Sequence, residues 1–307
     1  MTAELPGSTR VGRVALRVAD LDRVVSFYVD VVGLAVLERA DDSVVLGVGD
    51  TPLLTLIDAP DAPDRGEHEA GLFHVAVRVP SRAALGRALD RFESRWRLTG
   101  ASDHLVSEAL YARDPEGNGV EVYRDRPRSA WPDAPDGRVA MDTLPLDREA
   151  VRAAASDADG TESDPADRSG EAADGLPDGT DVGHVHLEAT DLDAERSFYT
   201  DLVGLRIRQE FGSDATFLAA GDYHHHVGVN VWNRRRDPAG GGLGIAWYEL
   251  VLPPNALADV RERLGRSDAA VEAVDGDSDA FETHDPSGIR VRFRADDTDG
   301  TDGTDDR

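Results

Sequence analysis

The chain has 307 residues, 60 Asp+Glu against 33 basic residues, and a formal net charge of −27. All 33 cations are Arg and Cys is absent, which excludes disulfides, thiolate metal sites and cysteine nucleophiles. The negative field disfavours nucleic acid and anionic lipid as partners, and no apolar run approaches the ~20 residues of a membrane helix.

Hydrophobic residues make up 40% of the chain, enough for a packed core. No apolar leader precedes the first element, which predicts a cytoplasmic protein. The acid is spread widely. Residues 155–181 hold nine acids and one Arg, and residues 296–307 hold six acids and one Arg. The remaining 45 acids and 31 Arg still leave −14. An aspartate-rich, lysine-free surface resembles those of halophilic proteins, whose hydrated carboxylates keep them soluble at high salt.

In chain order, an alternating strand over Val11–Val18 meets Asp20, a fitting N-cap. A helix follows with Leu21, Val24, Val25, Tyr28 and Val32 on its apolar side, closed by Gly33. Three short strands come next, near 34–39, 43–48 and 52–58, divided by Asp41-Asp42 and Gly49-Asp50 turns. The pattern then restarts. A strand is predicted over Leu72–Val79, a helix from Ser81 to about Phe92, and strands near 103–107, 108–113 and 119–124. Each unit reads βαβββ. Residues 132–180 read as an acidic linker with one short helical stretch around Asp147–Ala155, and 296–307 as a disordered acidic tail.

Residues 11–34 and 182–205 are identical at fourteen of 24 positions at an offset of 171. The same offset relates Asp114-Pro115-Glu116-Gly117 to Asp285-Pro286-Ser287-Gly288. The chain therefore reads as two copies of one domain, 9–131 and 181–295, with four βαβββ modules in all. The fold class is α+β.

The segments "DLDRVVSFYVDVVGL", "GLFHVAVRVPSRAALGRAL" and "DPEGNGVEVY", in this module order, resemble the vicinal oxygen chelate superfamily of glyoxalases, extradiol dioxygenases and bleomycin-binding proteins. "DHLVSEALYARDPEGNGVEVYRDRPRSAW" and "AAGDYHHHVGVNVW" look like its two-domain catechol 2,3-dioxygenase-type members. The resemblance covers nearly everything outside linker and tail. It implies paired modules curled into cups, one divalent metal per cup, and ligands in the first and last strands of a module.

Carried over on that basis, the ligand positions of module one fall on Arg13 and near Thr55, and those of module four on Trp247 (or Ile245) and Arg292. None is a good ligand. Module two supplies His74 and, seven residues after Asp114, Glu121. Module three supplies His184, with His226 at the mouth of its last strand. Modules could pair one with two and three with four, or two with three and one with four. The second pairing gathers His74, Glu121 and His184 into a two-His, one-carboxylate set, which suits Fe(II) oxygen chemistry. Fe(II) is the expected metal, with Mn(II), Ni(II) or Zn(II) as alternatives.

A neighbouring imidazole would take a substrate proton. His226 is the first candidate, then His224 and His104. Strand alternation would turn His224 and His226 one way and His225 the other. Asp114, Asp285 and Asn118 read as turn residues, Tyr111 and Tyr123 as wall aromatics, and Arg234-Arg235-Arg236 as a charged loop. The leading reading is an extradiol dioxygenase taking a small aromatic diol and O2. A glyoxalase-type isomerase, with His226 as fourth ligand, and a non-catalytic small-molecule-binding protein are the alternatives. A homo-oligomer is compatible with either.

Overall fold

The computed structural model describes residues 4–134, 136, 138–160 and 175–296. Most of the acidic tail and the middle of the linker therefore lie outside the described residues. Module one comprises β1 (Arg10–Val18), α1 (Leu21–Phe27), β2 (Ala35–Arg39), β3 (Ser43–Val48) and β4 (Thr51–Asp58). Module two comprises β5 (Gly71–Arg78), α2 (Arg82–Arg95), β6 (Gly100–Asp103), β7 (Ser107–Arg113) and β8 (Gly119–Asp125). After β9 (Leu144–Pro145) and α3 (Arg148–Gly160), module three runs through β10 (Asp181–Glu188), α4 (Leu192–Ser197), β11 (Arg206–Phe211), β12 (Ala215–Ala219) and β13 (Val227–Asn230). Module four adds β14 (Gly244–Leu252), α5 (Pro254–Gly265), β15 (Glu272–Val274), β16 (Asp277–His284) and β17 (Arg290–Ala295).

Local chemistry explains the boundaries. The Asp20 and Asp191 carboxylates accept backbone N–H groups of the first turns of α1 and α4. Both helices end in a π-turn closed by a left-handed glycine, Gly33 at φ 97° and Gly204 at φ 98°. The Asp114 and Asp285 carboxylates each accept two backbone N–H groups of their own turn, the role expected of them.

Three expectations need correction. The strand placed at 103–107 ends at Asp103, because the Asp103 side chain accepts the Leu105 N–H and turns the chain, with Leu105 at φ 69°. The helix predicted to stop near Phe92 continues one turn to Arg95. The helical stretch in the linker is longer than predicted. It docks on α2, where Val151 and Ala155 are buried against Gly86 and Arg152 pairs with Asp90 and Glu93.

The strands form two curled mixed sheets. One has the order β15-β16-β17-β14-β1-β4-β3-β2, and the other β11-β12-β13-β10-β5-β8-β7-β6-β9. Modules one and four thus share one sheet, and modules two and three the other. The joining pairs, β1 with β14 and β5 with β10, are antiparallel. Among the described residues no helix is long and apolar enough to cross a membrane.

Candidate metal centre

Strand alternation sorts the central strands of the second sheet. Val75, Val77, Val120, Val122, Val185 and Leu187 enter the core. Their neighbours His74, Ala76, Glu121, His184 and His186 face the opposite side, inside the cup. Across three strands His184 pairs with Ala76, and Ala76 with Glu121. The two long side chains converge over that small alanine, and His74, two residues along β5, closes the group.

The three reacting atoms form a near-equilateral triangle. Glu121 Oε2 lies 2.9 Å from His74 Nε2 and 3.3 Å from His184 Nε2, and the two nitrogens are 3.3 Å apart. All three side chains are buried. For bonds of roughly 2.1 Å, neighbouring ligands sit about 3.0 Å apart in an octahedron and about 3.4 Å apart in a tetrahedron. The two 3.3 Å edges fall in that interval and the 2.9 Å edge lies close to its octahedral end. Two N–H donors aimed at one carboxylate oxygen would crowd each other at 3.3 Å, and a cation in place of both protons removes the conflict. The donor set therefore fits a divalent metal.

Electrostatics point the same way. Burial pushes the His184 imidazole down to about 4, so the ring is neutral. Burial alone would raise Glu121, but His184 and His74 beside it hold its carboxyl well below the usual range. Both shifts favour the ligating forms.

His226 does not join the triangle. Among the described residues the group of close potential ligands comprises His74, Glu121 and His184. His226 Nδ1 accepts the Ala220 N–H at 3.2 Å, and its ring lies against Tyr223. Burial lowers it to about 3.

The alternation expected for His224–His226 does not apply, because β13 begins only at Val227. His225, expected to face away, packs its ring on His184 with centroids 4.1 Å apart. His224 Nε2 meets Asp125 Oδ1 at 2.9 Å, and His224 Nδ1 meets His225 Nδ1 at 2.7 Å. In the neutral chain His224 donates to Asp125 and His225 donates to His224. His225 Nε2 then carries the lone pair. His224 and Arg78 hold the Asp125 carboxyl below its usual range despite burial, which keeps it an acceptor.

His104 lies on the turn between β6 and β7 rather than on a strand. Its Nδ1 is 2.8 Å from the Asp142 carbonyl, which can only accept, so Nε2 accepts the Tyr111 hydroxyl at 2.7 Å. Tyr111 pairs across the sheet with Glu121 and sets its ring 5.7 Å from His74. At one rim Phe73, Phe217 and Trp232 surround His186, whose Nε2 is 3.1 Å from the Asn230 amide nitrogen. His186 in turn lies 5.0 Å from the His74 ring.

Sequence reasoning missed His225, Asp125 and the partnership of Tyr111 with Glu121. The last had a signal: positions 111 and 121 are equidistant from the centre of the Asp-Pro turn, so a hairpin must place them opposite each other.

Known proteins resemble this chain in sequence and in fold. The sequence profile of the Glyoxalase/Bleomycin resistance protein/Dioxygenase superfamily matches residues 10–122. Catechol-2,3-dioxygenase of Bacillus subtilis (strain 168) is 36% identical over 294 residues, covering 93% of this chain and 97% of that protein. Among solved structures, glyoxalase I from Zea mays superposes with a TM-score of 0.56 at 16% identity, covering 94% of this chain and 92% of that one. The cppA protein of Streptococcus pneumoniae TIGR4 superposes with a TM-score of 0.52 at 10% identity, covering 94% and 99%. At these identities the two structures speak for the fold alone.

Proposed function

Because the chain belongs to the Glyoxalase/Bleomycin resistance protein/Dioxygenase superfamily, we propose that it is a metal-dependent extradiol dioxygenase cleaving a catechol-type aromatic with O2. The observation that carries this reading is the buried three-member group His74, Glu121 and His184, which no fourth His, Asp or Glu joins among the described residues. These residues would hold Fe(II), with Mn(II), Ni(II) or Zn(II) as alternatives. Such a metal supplies Lewis acidity and, for iron, electron transfer between an aromatic diol and O2.

The chain's own residues do the rest. His225 Nε2, held in its basic tautomer by His224 and Asp125, accepts a phenolic proton of the diol. Phe73, Phe217 and Trp232 give a flat ring an apolar rim to lie against. Tyr111, anchored on His104, fixes the Glu121 side of the pocket. A glyoxalase-type isomerase would need a fourth ligand, and the seating of His226 against Ala220 speaks for the open three-ligand site.

The test is anaerobic reconstitution with Fe(II), followed by O2 uptake on a panel of catechols. Iron-dependent uptake that His74→Ala and His184→Ala each abolish is expected. Retained uptake in either variant would overturn the site. A protein that gains neither metal nor turnover would favour the non-catalytic binding alternative.

A further inference from the structure

His186 follows His184 on the cup face of β10, two residues or about 6.6 Å along the strand. It is only 4% exposed. Its Nε2 lies 3.1 Å from Asn230 Nδ2. The orientation of the Asn230 amide is fixed from both ends. Its Oδ1 accepts the Trp232 N–H at 3.2 Å, and its Nδ2 donates to the Leu187 carbonyl at 3.2 Å. The second Nδ2 proton therefore points to His186 Nε2, which must accept it. The proton of the imidazole then resides on Nδ1.

No hydrogen bond joins that Nδ1–H to any described residue. The Cδ2–Nε2 edge of the ring lies over Gly228, where a Cβ would come within 3.1 Å of Cδ2 and 3.4 Å of Nε2. The Nδ1 edge is thus turned away from β13. Glu188, next on the same face of β10, is engaged elsewhere, with Arg65, Arg235 and Asn233 on its two oxygens. Unlike His184 Nδ1, His186 Nδ1 is not sealed by protein, so it opens on free space inside the cup. Around it stand Phe73, Phe217 and Trp232, with centroids 5.0, 5.5 and 5.3 Å from the imidazole. A free donor is therefore set among aromatic rings.

We propose that His186 determines the substrate class: its Nδ1–H takes an uncharged acceptor, a carbonyl carried on the diol's ring at the end away from the two hydroxyls. This rests on the reading of the cup as a catechol-cleaving site. With the diol oxygens at the triangle, a ring lying against Phe73, Phe217 and Trp232 carries its far substituent toward His186. The spacing of His184 and His186 along β10 is about the length of a benzene ring with one substituent. An alkyl group in that place leaves the N–H unpaired, and a site built around a donor discriminates against such an analogue. A carboxylate would trade its hydration for one neutral donor among apolar rings.

The test compares 3,4-dihydroxyacetophenone with 4-isopropylcatechol, which share a shape and differ in the carbonyl. The carbonyl-over-alkyl ratio of kcat/KM is read from O2 uptake by the Fe(II)-loaded full chain. The matching ratio of affinities is read by calorimetry on the Zn(II)-loaded chain. Both ratios should fall at least about fivefold in His186→Leu, the size of one neutral hydrogen bond. Comparing ratios between proteins cancels the different acidity of the two diols. Asn230→Asp is the second variant. Its carboxylate can only accept, so the ring proton moves to Nε2 and Nδ1 becomes an acceptor. The ratios should fall to a similar extent although His186 is intact. An unchanged metal-dependent shift in Tm checks that each variant keeps its fold and metal site. A fall in His186→Leu alone would make the ring a spacer and overturn the donor role. Turnover of both diols with ratios unchanged in both variants would overturn the proposal and leave the dioxygenase reading standing. Neither uptake nor binding of either diol by the wild-type chain would overturn both.

Discussion

Glu121→Gln isolates the metal from the fold. Gln fills nearly the same volume, and its amide can still hydrogen-bond His74 and His184, which lie 2.9 and 3.3 Å from the carboxylate oxygen. The apolar residues beneath it are untouched, so the metal-free Tm should move little. Metal-bound stability should differ sharply. A metal at 100 times its Kd stabilises the folded chain by about 2.7 kcal/mol. At ~2–4 °C per kcal/mol for a chain of this size class, that is a rise of about 5–10 °C. Replacing the anionic ligand by an amide should weaken binding by at least ~100-fold, the upper end of what losing even an outer-shell partner costs. At the same free metal the gain then falls to about 0.4 kcal/mol, or roughly 1 °C. Differential scanning calorimetry with Mn(II), and anaerobically with Fe(II), reads both numbers. An equal shift in wild type and Glu121→Gln would refute the assignment of Glu121 to the metal.

Three further perturbations probe the surroundings. His225→Ala should keep the metal-dependent shift in Tm yet lose about 100-fold or more in kcat for O2 uptake, and full kcat would place the base elsewhere. Burial lifts the Asp285 carboxyl to about 7 in the folded chain, with Tyr199 hydrogen-bonded to it. The folded state thus keeps a proton that the unfolded state releases near its ordinary value, about 3.9, so stability falls as pH rises from about 4 to 7. Asp285→Asn should flatten that fall in urea titrations, and parallel curves would contradict it. Arg91, buried, caps the Val31 and Val32 carbonyls of the first π-turn, as half-buried Arg263 caps Leu202 and Val203. Arg91→Met should destabilise by about 2–3 kcal/mol through two orphaned carbonyls, and Arg263→Met by less. Equal losses in chemical denaturation would argue against burial as the cause.

Much of this geometry was legible because it is periodic. The resemblance to the vicinal oxygen chelate superfamily points to first and last strands as ligand-bearing, counting along the repeat and from the Asp-Pro turn then reaches the candidates His74, Glu121 and His184, and a strand forces alternate residues onto one face. The periodicity ends where the chain leaves the ladder. Tyr223–His226 lie before β13, so alternation says nothing about them, and the stacking of His225 on His184 depends on a loop path that residue identity does not encode. Likewise Asp103 ends β6 by a side-chain bond to Leu105, a local competitor that outweighs the strand propensity around it. Asp125 reads as an ordinary strand-end acid until Arg78 and His224, 47 and 99 residues away, are seen to meet it.

The pairing of modules decides where chemistry can reside. If each copy closed its own cup, module one would set Arg13 beside His74 and Glu121, and module four would set Trp247 and Arg292 beside His184. Each cup would hold an incomplete ligand set and a fixed cation. Joining β5 to β10 and β1 to β14 instead gathers the candidate ligands His74, Glu121 and His184 in one cup and leaves Arg13, Trp247 and Arg292 in the other. That exchange requires the chain to travel from β8 back to β10, the neighbour of β5 at the centre of the sheet. A long connection adds little closure cost, about 0.6 kcal/mol per doubling. Here it is partly tied down: α3 lies so close to α2 that a Cβ on Gly86 would come within 2.6 Å of the Val151 carbonyl oxygen. Gly86→Val should therefore lift α3 off α2 without touching any cup residue. If α3 guides the second copy into place, that variant should lose metal-dependent stabilisation together with stability. If the strand junction suffices, it should lose stability alone.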